Sequence, residues 1–534
     1  MAGRKQSSVF TVGALSCTTG IFLAAISGII LCVPFVMLAD NAQLGAYGIF
    51  HALMTFITRV SAASLPFGLM ALCANYSSRN DWRTVKHLRL FTVIAVMSTA
   101  VILALALAFA AQPLCTYIFA AYHVKGLVET ATGVLYCAAA MILLVSVLYL
   151  YRGFYQGLDE TVIDERSQII EQTASALCSA GVLAWIYFHR DARNIILYLL
   201  IACAILAMLL AIGYYVLFDR LKYPRVEALA KAQLLPPVKK KKAISELFAF
   251  SMPGLSVAVM QGLMLLVNAF MFLPVCRMCG LEDRNMLDIY SYLTVHSVWL
   301  AEIPVILAYR FSSGVIFDIA EGVEKKNTKL LDSGIEKMFG RFLYAAVPLV
   351  FSLIILSPQF FYVLYGLKSA DAPAVFSWAM AEGLSVALAM ISSWLMITLR
   401  FNQNSIFYHA VGLAVKLFSF WFLIRYMGYS GAMASTLLGV FTVLFLCLSR
   451  ISNYFGISYQ RLFLQLAKML AACMCMNGVY ALFKYFGLDG LHASRLLSAV
   501  HLLAMAAIAI PVYLFVTGMM KVPVQLFGRK KKRQ

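Results

Sequence analysis

Residues 219–246 read DRLKYPRVEALAKAQLLPPVKKKKAISE, and they divide the chain in two. The stretch carries Arg220, Lys222, Arg225, Lys231 and the run Lys239 to Lys242, with Pro236 and Pro237 side by side. Apolar sequence flanks it on both sides, which makes it the longest strongly charged interruption in the chain. A lysine run of this kind reads as a solvated linker. The other reading is a contact with anionic lipid headgroups, to which each Lys or Arg would contribute about 1 kcal/mol.

The two sides resemble each other. Phe10-Thr11-Val12-Gly13-Ala14-Leu15-Ser16 opens the first apolar segment, and Phe250-Ser251-Met252-Pro253-Gly254-Leu255-Ser256 opens the first one after the linker. Tyr47 and Tyr290 open the next segment of each side, 243 positions apart. Tyr151-Arg152-Gly153-Phe154-Tyr155-Gln156 is matched by Leu399-Arg400-Phe401-Asn402-Gln403. The offset grows slowly along the chain, as loop insertions in a tandem duplication would make it.

Composition sets the medium. The chain is 62% hydrophobic and only 13% charged, too apolar for a water-soluble protein of 534 residues. A bilayer core about 30 Å thick takes about 20 apolar residues per helix, and about fourteen segments of that length fit between 11–38 and 496–519. They are too long, and alternate too little, for barrel strands. Helices also satisfy their own backbone groups in lipid. The expected fold is all-α: a polytopic membrane protein with two pseudo-symmetric six-helix lobes, 1–218 and 247–450, and a cytoplasmic basic linker at 219–246. Residues 451–534 would add two transmembrane helices and a basic tail.

The net charge of +19 suggests nucleic acid, but the distribution argues against it. Most of the 43 Lys and Arg fall in loops on one side of the expected membrane, which puts both termini in the cytoplasm. The twelve cysteines lie mostly within apolar segments and read as small hydrophobes. The Cys276-Arg277-Met278-Cys279 pair lacks the further ligands that a zinc site needs, so no metal is expected. No phosphate-binding loop, HExxH or GxSxG occurs, so no catalytic residue and no cofactor is assigned, and the chain is not expected to be an enzyme.

Charges inside the apolar segments carry the functional reading, because each costs roughly 2.5–3.5 kcal/mol to insert. Arg59 lies midway through the second segment, with Pro66 beyond it. The eighth carries Glu302 and Arg310 with Pro304 between them, and the eleventh carries Lys416. Under the 243 offset Arg59 and Glu302 are repeat equivalents at one depth, which makes them a candidate charge pair across a central cleft. Gln168, Glu171 and Gln172 share one face at the start of the fifth segment. That face points into the bundle or serves the start of the helix.

The stretch RGFYQG at 152–157, followed by SQIIEQ at 167–172, resembles the signature of a branch of the multidrug/oligosaccharidyl-lipid/polysaccharide (MOP) exporter superfamily. The branch is that of stage V sporulation protein B-like and MurJ-like lipid flippases. The organisation of nearly the whole chain fits it, while the motif itself covers about twenty residues. The resemblance implies two lobes around a cavity that works by alternating access, moving a lipid-linked oligosaccharide such as a lipid II-like cell-wall or polysaccharide precursor. Arg59, Arg310, Glu302 and Lys416 would then meet the substrate, and Arg152, Gln156, Gln168, Glu171 and Gln172 would serve structure or gating. It further implies a bacterial cytoplasmic membrane, a monomer, surrounding membrane lipids and no nucleic acid, with anionic headgroups at the linker and tail. Energy would come from an ion gradient or the membrane potential. Residues 11–38 hold no charged side chain, a departure from the flippase pattern that also disfavours an acidic cation site. Two other functions stay open: a cation-coupled multidrug efflux antiporter, and a non-transporting scaffold for cell-wall or sporulation enzymes.

Overall fold

The computed structural model describes residues 22–234, 236–281, 285–313, 315, 319, 321–323, 325, 327–488, 490–491 and 494–527. Among the described residues, twelve helices are long and apolar enough to cross a membrane, and a bent pair makes a thirteenth. The first apolar segment is described only as Phe22–Leu38, since the rest of 11–38 lies outside the described residues. We number the spans in chain order: α1 Phe22–Leu38, α2 Asn41–Ser78, α3 Trp82–Phe119, α4 Leu127–Gly157, α5 Thr161–Phe188, α6 Ile196–Ala232 and α7 Lys240–Met278. There follow the bent pair α8, Asn285–His296 with Val298–Ser312, then α9 Thr328–Ile355, α10 Asp371–Thr398 and α11 Asn402–Met427. The last three are α12 Ser430–Phe455, α13 Gln460–Tyr485 and α14 Arg495–Met519.

The packing groups these spans differently from the sequence repeat. One compact unit comprises Met1–Trp299 with Asn402–Gly439, the other Leu300–Phe401 with Val440–Gln534. In the first unit α7 packs against α2, α3 and α11, and α4 packs against α2 and α3. In the second, α13 packs on α9 and on α14. Polar side chains fasten that group: Gln465 donates to Glu336 at 2.8 Å, Tyr480 meets Ser352 at 2.9 Å, and Tyr344 meets Thr517 at 3.1 Å.

Prolines break two spans at related places. In α2 the helix stops at Ala63, Ser64 is extended, and a new helix starts at Leu65 with Pro66 in its first turn. Proline fits there because first-turn amides have no helical partner to lose. In α8 a π-helical stretch at Tyr292–His296 precedes a 44° bend. A second break falls at Glu302, before Ile303–Ser313 with Pro304 near its start. A glycine packs on each break. A Cβ on Gly153 of α4 would collide with the Pro66 carbonyl, and one on Gly383 of α10 with that of Ala301. In both spans a backbone carbonyl at the break meets a glycine of a neighbouring helix.

The charged interruption at 219–246 is mostly helix. α6 continues through Pro224 to Ala232, and α7 begins at Lys240, so of the described residues in this stretch only 233, 234 and 236–239 lie outside helices. Leu221, Glu227, Ala228 and Leu229 favour helix, which explains the persistence despite the charge. Charged side chains of this stretch meet partners elsewhere in the first unit. Arg89 pairs with Asp219 at 2.8 Å, Lys86 with Glu227 at 2.5 Å and Lys222 with Glu160 at 2.8 Å, and Tyr76 donates to Glu246 at 2.5 Å. The crossover itself is tied to Asp81, which accepts from Gln233 at 2.9 Å and from the Val238 amide at 3.3 Å.

Candidate functional site

The expected site residues fall into three places. Arg59 is half-buried within α2, and Glu302 is half-buried at the break of α8. Arg310 is exposed in the last turn before Ser313. Arg59 belongs to the first unit, Glu302 and Arg310 to the second. The prolines do not keep the register that equates Arg59 with Glu302. Pro66 and Pro304 are 238 positions apart, so the residue level with Glu302, two before the proline, is Ser64. Arg59 stands higher, inside an unbroken helix. Local geometry at the breaks, rather than a constant offset, sets the correspondence.

The second place is a buried polar network where α4, α5 and α6 meet. Asp164 is wholly buried and forms its hub. Its Oδ1 accepts from the Tyr215 hydroxyl at 2.8 Å, and its Oδ2 accepts from Gln156 at 2.7 Å and Gln168 at 2.8 Å. Arg152 lies 3.6 Å from Asp164 and 2.5 Å from Glu171, with its guanidinium over the Tyr149 ring at 5.1 Å. Charge-assisted bonds of this kind are about twice as strong as neutral ones. Tyr151 and Tyr155 each stack on Tyr215, at 5.4 and 5.9 Å. The Tyr155 hydroxyl passes the network on to Asp219 at 2.6 Å, and Asp219 holds Arg89, which sits between the Phe154 and Tyr223 rings.

The residues of the RGFYQG and SQIIEQ motifs therefore come together: Arg152, Gln156, Gln168 and Glu171 share one cluster. Gln172 is half-buried beside it. Asp164 was not among the expected site residues, because the face read from the sequence began at Gln168. The helix starts at Thr161, so Asp164, Gln168 and Glu171 stand at i, i+4 and i+7 on one face.

The third place is Lys416 on α11. Its side chain is fully buried, and its amine donates to the Met264 carbonyl, to Asn268 Oδ1 at 2.8 Å and to Thr436 Oγ1 at 2.7 Å. The expectation that Lys416 meets substrate is corrected here: the amine is enclosed and turned to protein acceptors. Two turns along α11, His409 meets Gln261 of α7 at 2.9 Å and its other ring nitrogen meets the Ser405 carbonyl at 2.7 Å. Cys276 and Cys279 are both free thiols, and no group of three metal-ligating side chains occurs among the described residues.

Among the described residues, proline-broken spans, glycine-packed breaks and buried charges belong to a multi-pass, all-helical membrane protein. Several solved structures share its fold, two of which follow. One is the lipid II flippase MurJ in an inward closed conformation, with TM-score 0.66, 13% identity, and 94% of this chain and 98% of that one covered. The other is an inward-facing multidrug resistance MATE family transporter, with TM-score 0.60, 12% identity, and coverage of 80% and 94%. In sequence the chain is a homologue of the lipid II flippase MurJ of Bacillus subtilis (strain 168), 22% identical over 480 residues, 88% of each chain. It is similar also to stage V sporulation protein B of the same organism, 23% identical over 331 residues, 61% of this chain and 60% of that one. No family model matches the chain.

Proposed function

We propose that this protein is a flippase that moves a polyprenyl-diphosphate-linked cell-wall or polysaccharide precursor, similar to lipid II, across the bacterial cytoplasmic membrane. The similarity to MurJ along 88% of both chains carries this reading. The charges support it. Arg59 and Arg310 each offer a guanidinium group, the side chain best matched to diphosphate oxygens. Lys416 is left out, because its amine is already held by protein. The Asp164 network keeps α4, α5 and α6 in fixed register while the spans around them rearrange. Both termini and the crossover face the cytoplasm in this reading, the exposed lysines at 239–242 lie near anionic headgroups, the chain acts as a monomer, and no cofactor takes part.

The test is reconstitution of the full chain in vesicles with a fluorescent polyprenyl-diphosphate oligosaccharide. Transfer between leaflets is read by a membrane-impermeant quencher. Transfer above empty vesicles is expected, with a loss of about tenfold or more for Arg59→Gln, since a charge-assisted contact contributes about 1.5–3 kcal/mol. The resemblance to the MATE fold supports a second reading, cation-coupled efflux of amphipathic drugs. Gradient-driven drug uptake into the same vesicles, without lipid transfer, would replace the first reading by the second. Neither activity would favour a scaffold.

A further inference from the structure

The junction of α7, α11 and α12 has a feature that the transport reading does not use. Lys416 is 0% exposed, Asn268 6% and Thr436 0%. Around the amine stand a backbone carbonyl, a carboxamide oxygen and a hydroxyl oxygen, and each is aimed inward. Asn268 donates its amide nitrogen to the same Thr436 oxygen at 3.1 Å, and Thr436 places its own hydrogen on the Ala432 carbonyl at 3.3 Å. The Phe420 ring lies 5.8 Å from the amine. The backbones of α11 and α12 approach closely here: a Cβ on Gly439 would stand 2.7 Å from the Gly412 carbonyl. No bulkier residue at 439 would let the lysine stem lie flat between the helices.

Carbonyl, carboxamide and hydroxyl oxygens are the ligands that replace water around hard cations. We propose that this junction is a monovalent-cation site filled by the protein's own Lys416 ammonium, a tethered ion in place of a free one. The three donors of an ammonium match the three oxygens. Two oxygens belong to α7 and one to α12, so the cation on α11 clasps the neighbouring pair α11 and α12 to α7, about 150 positions away. A tethered ion cannot leave when the medium changes, and the three helices stay together whatever small cation surrounds the protein.

The experiment uses the full chain in detergent and follows thermal unfolding in ammonium chloride, sodium chloride or choline chloride at matched concentration. Choline is too large for the cavity that truncation leaves. The wild-type midpoint is expected to be the same in all three salts. Lys416→Ala should fall by several degrees and recover saturably in ammonium or sodium chloride, but not in choline chloride. A gain of the wild type in ammonium or sodium over choline would overturn the proposal, as would a Lys416→Ala protein indifferent to all three. If that variant does not fold, Asn268→Leu is compared in the wild-type and Lys416→Met backgrounds. The leucine should lower the wild-type midpoint and leave that of Lys416→Met unchanged or higher. An equal loss in both backgrounds would show that the acceptors do not serve the cation.

Discussion

Asp164 and Lys416 are both wholly enclosed in the first unit, but in different company. The anion draws its partners from a continuous stretch, Arg152 to Tyr215, and its neighbour Arg152 is shared with a second carboxylate, Glu171. The cation meets a carbonyl, a carboxamide and a hydroxyl from spans about 150 and 20 positions away. An ion facing an opposite ion is satisfied over a range of distances, here 2.5 and 3.6 Å around Arg152. An ion held by dipoles needs each dipole to point at it. Around Asp164 both modes act: the Arg152 pairs allow a range of distances, while the dipoles of Tyr215, Gln156 and Gln168 hold α4, α5 and α6 in register. Around Lys416 dipoles fix α11 to α7 and α12 in one geometry.

The largest expected effect separates the hub from its satellites. Asp164→Leu leaves Tyr215, Gln156 and Gln168 without their common acceptor and Arg152 with Glu171 alone, and each buried donor left unsatisfied costs about 1–3 kcal/mol. Chemical unfolding in detergent measures it; a loss no greater than that of an exposed substitution would mean that Asp164 is not the centre. Glu171→Gln should cost less, about 1–2 kcal/mol, because Arg152 keeps Asp164 and the Tyr149 face. If the two variants cost the same, the pair rather than the hub carries the network.

The smallest effect concerns Asp81, at the mouth of this unit rather than in its interior. Burial pushes its carboxyl up, but bonds from Thr84, Gln233 and the Val238 amide together hold it below the ordinary 3.8. A carboxyl lowered in the folded state contributes stability above its unfolded value and loses it as pH falls through the folded one. The crossover at 233–239 should therefore resist limited proteolysis at neutral pH and yield only below about pH 4. Asp81→Asn should make cleavage there faster at neutral pH and nearly independent of pH. Equal cleavage of both proteins at every pH would leave the tie without consequence.

The fold was legible because lipid leaves few options: length, apolar content and Lys/Arg asymmetry point to helices of known size. Arg152, Gln156, Gln168 and Glu171 were legible because helix spacing brings them to facing surfaces of neighbouring spans. Asp164 was hidden because the face read from the sequence began at Gln168. The company of Lys416 was not legible, since no spacing within α11 announces Asn268 or Thr436. The pairing of Arg59 with Glu302 rests on a constant offset of 243, whereas the proline breaks correspond at 238. Ser64 and Glu302 interrupt theirs at different distances from the start.

The spans α3, α6 and α7 contain 38, 37 and 39 residues. At 1.5 Å per residue each is about 55–58 Å long, nearly twice the depth of the hydrocarbon. For α6 and α7 the surplus carries the charged 219–246 stretch, and the crossover joins their ends. Such rods are lever arms with their fulcrum in the bilayer. A tilt of about 10° in the membrane carries a tip about 25 Å away through roughly 4 Å. Anything that grips the crossover from water thus has mechanical advantage over the helices buried below it.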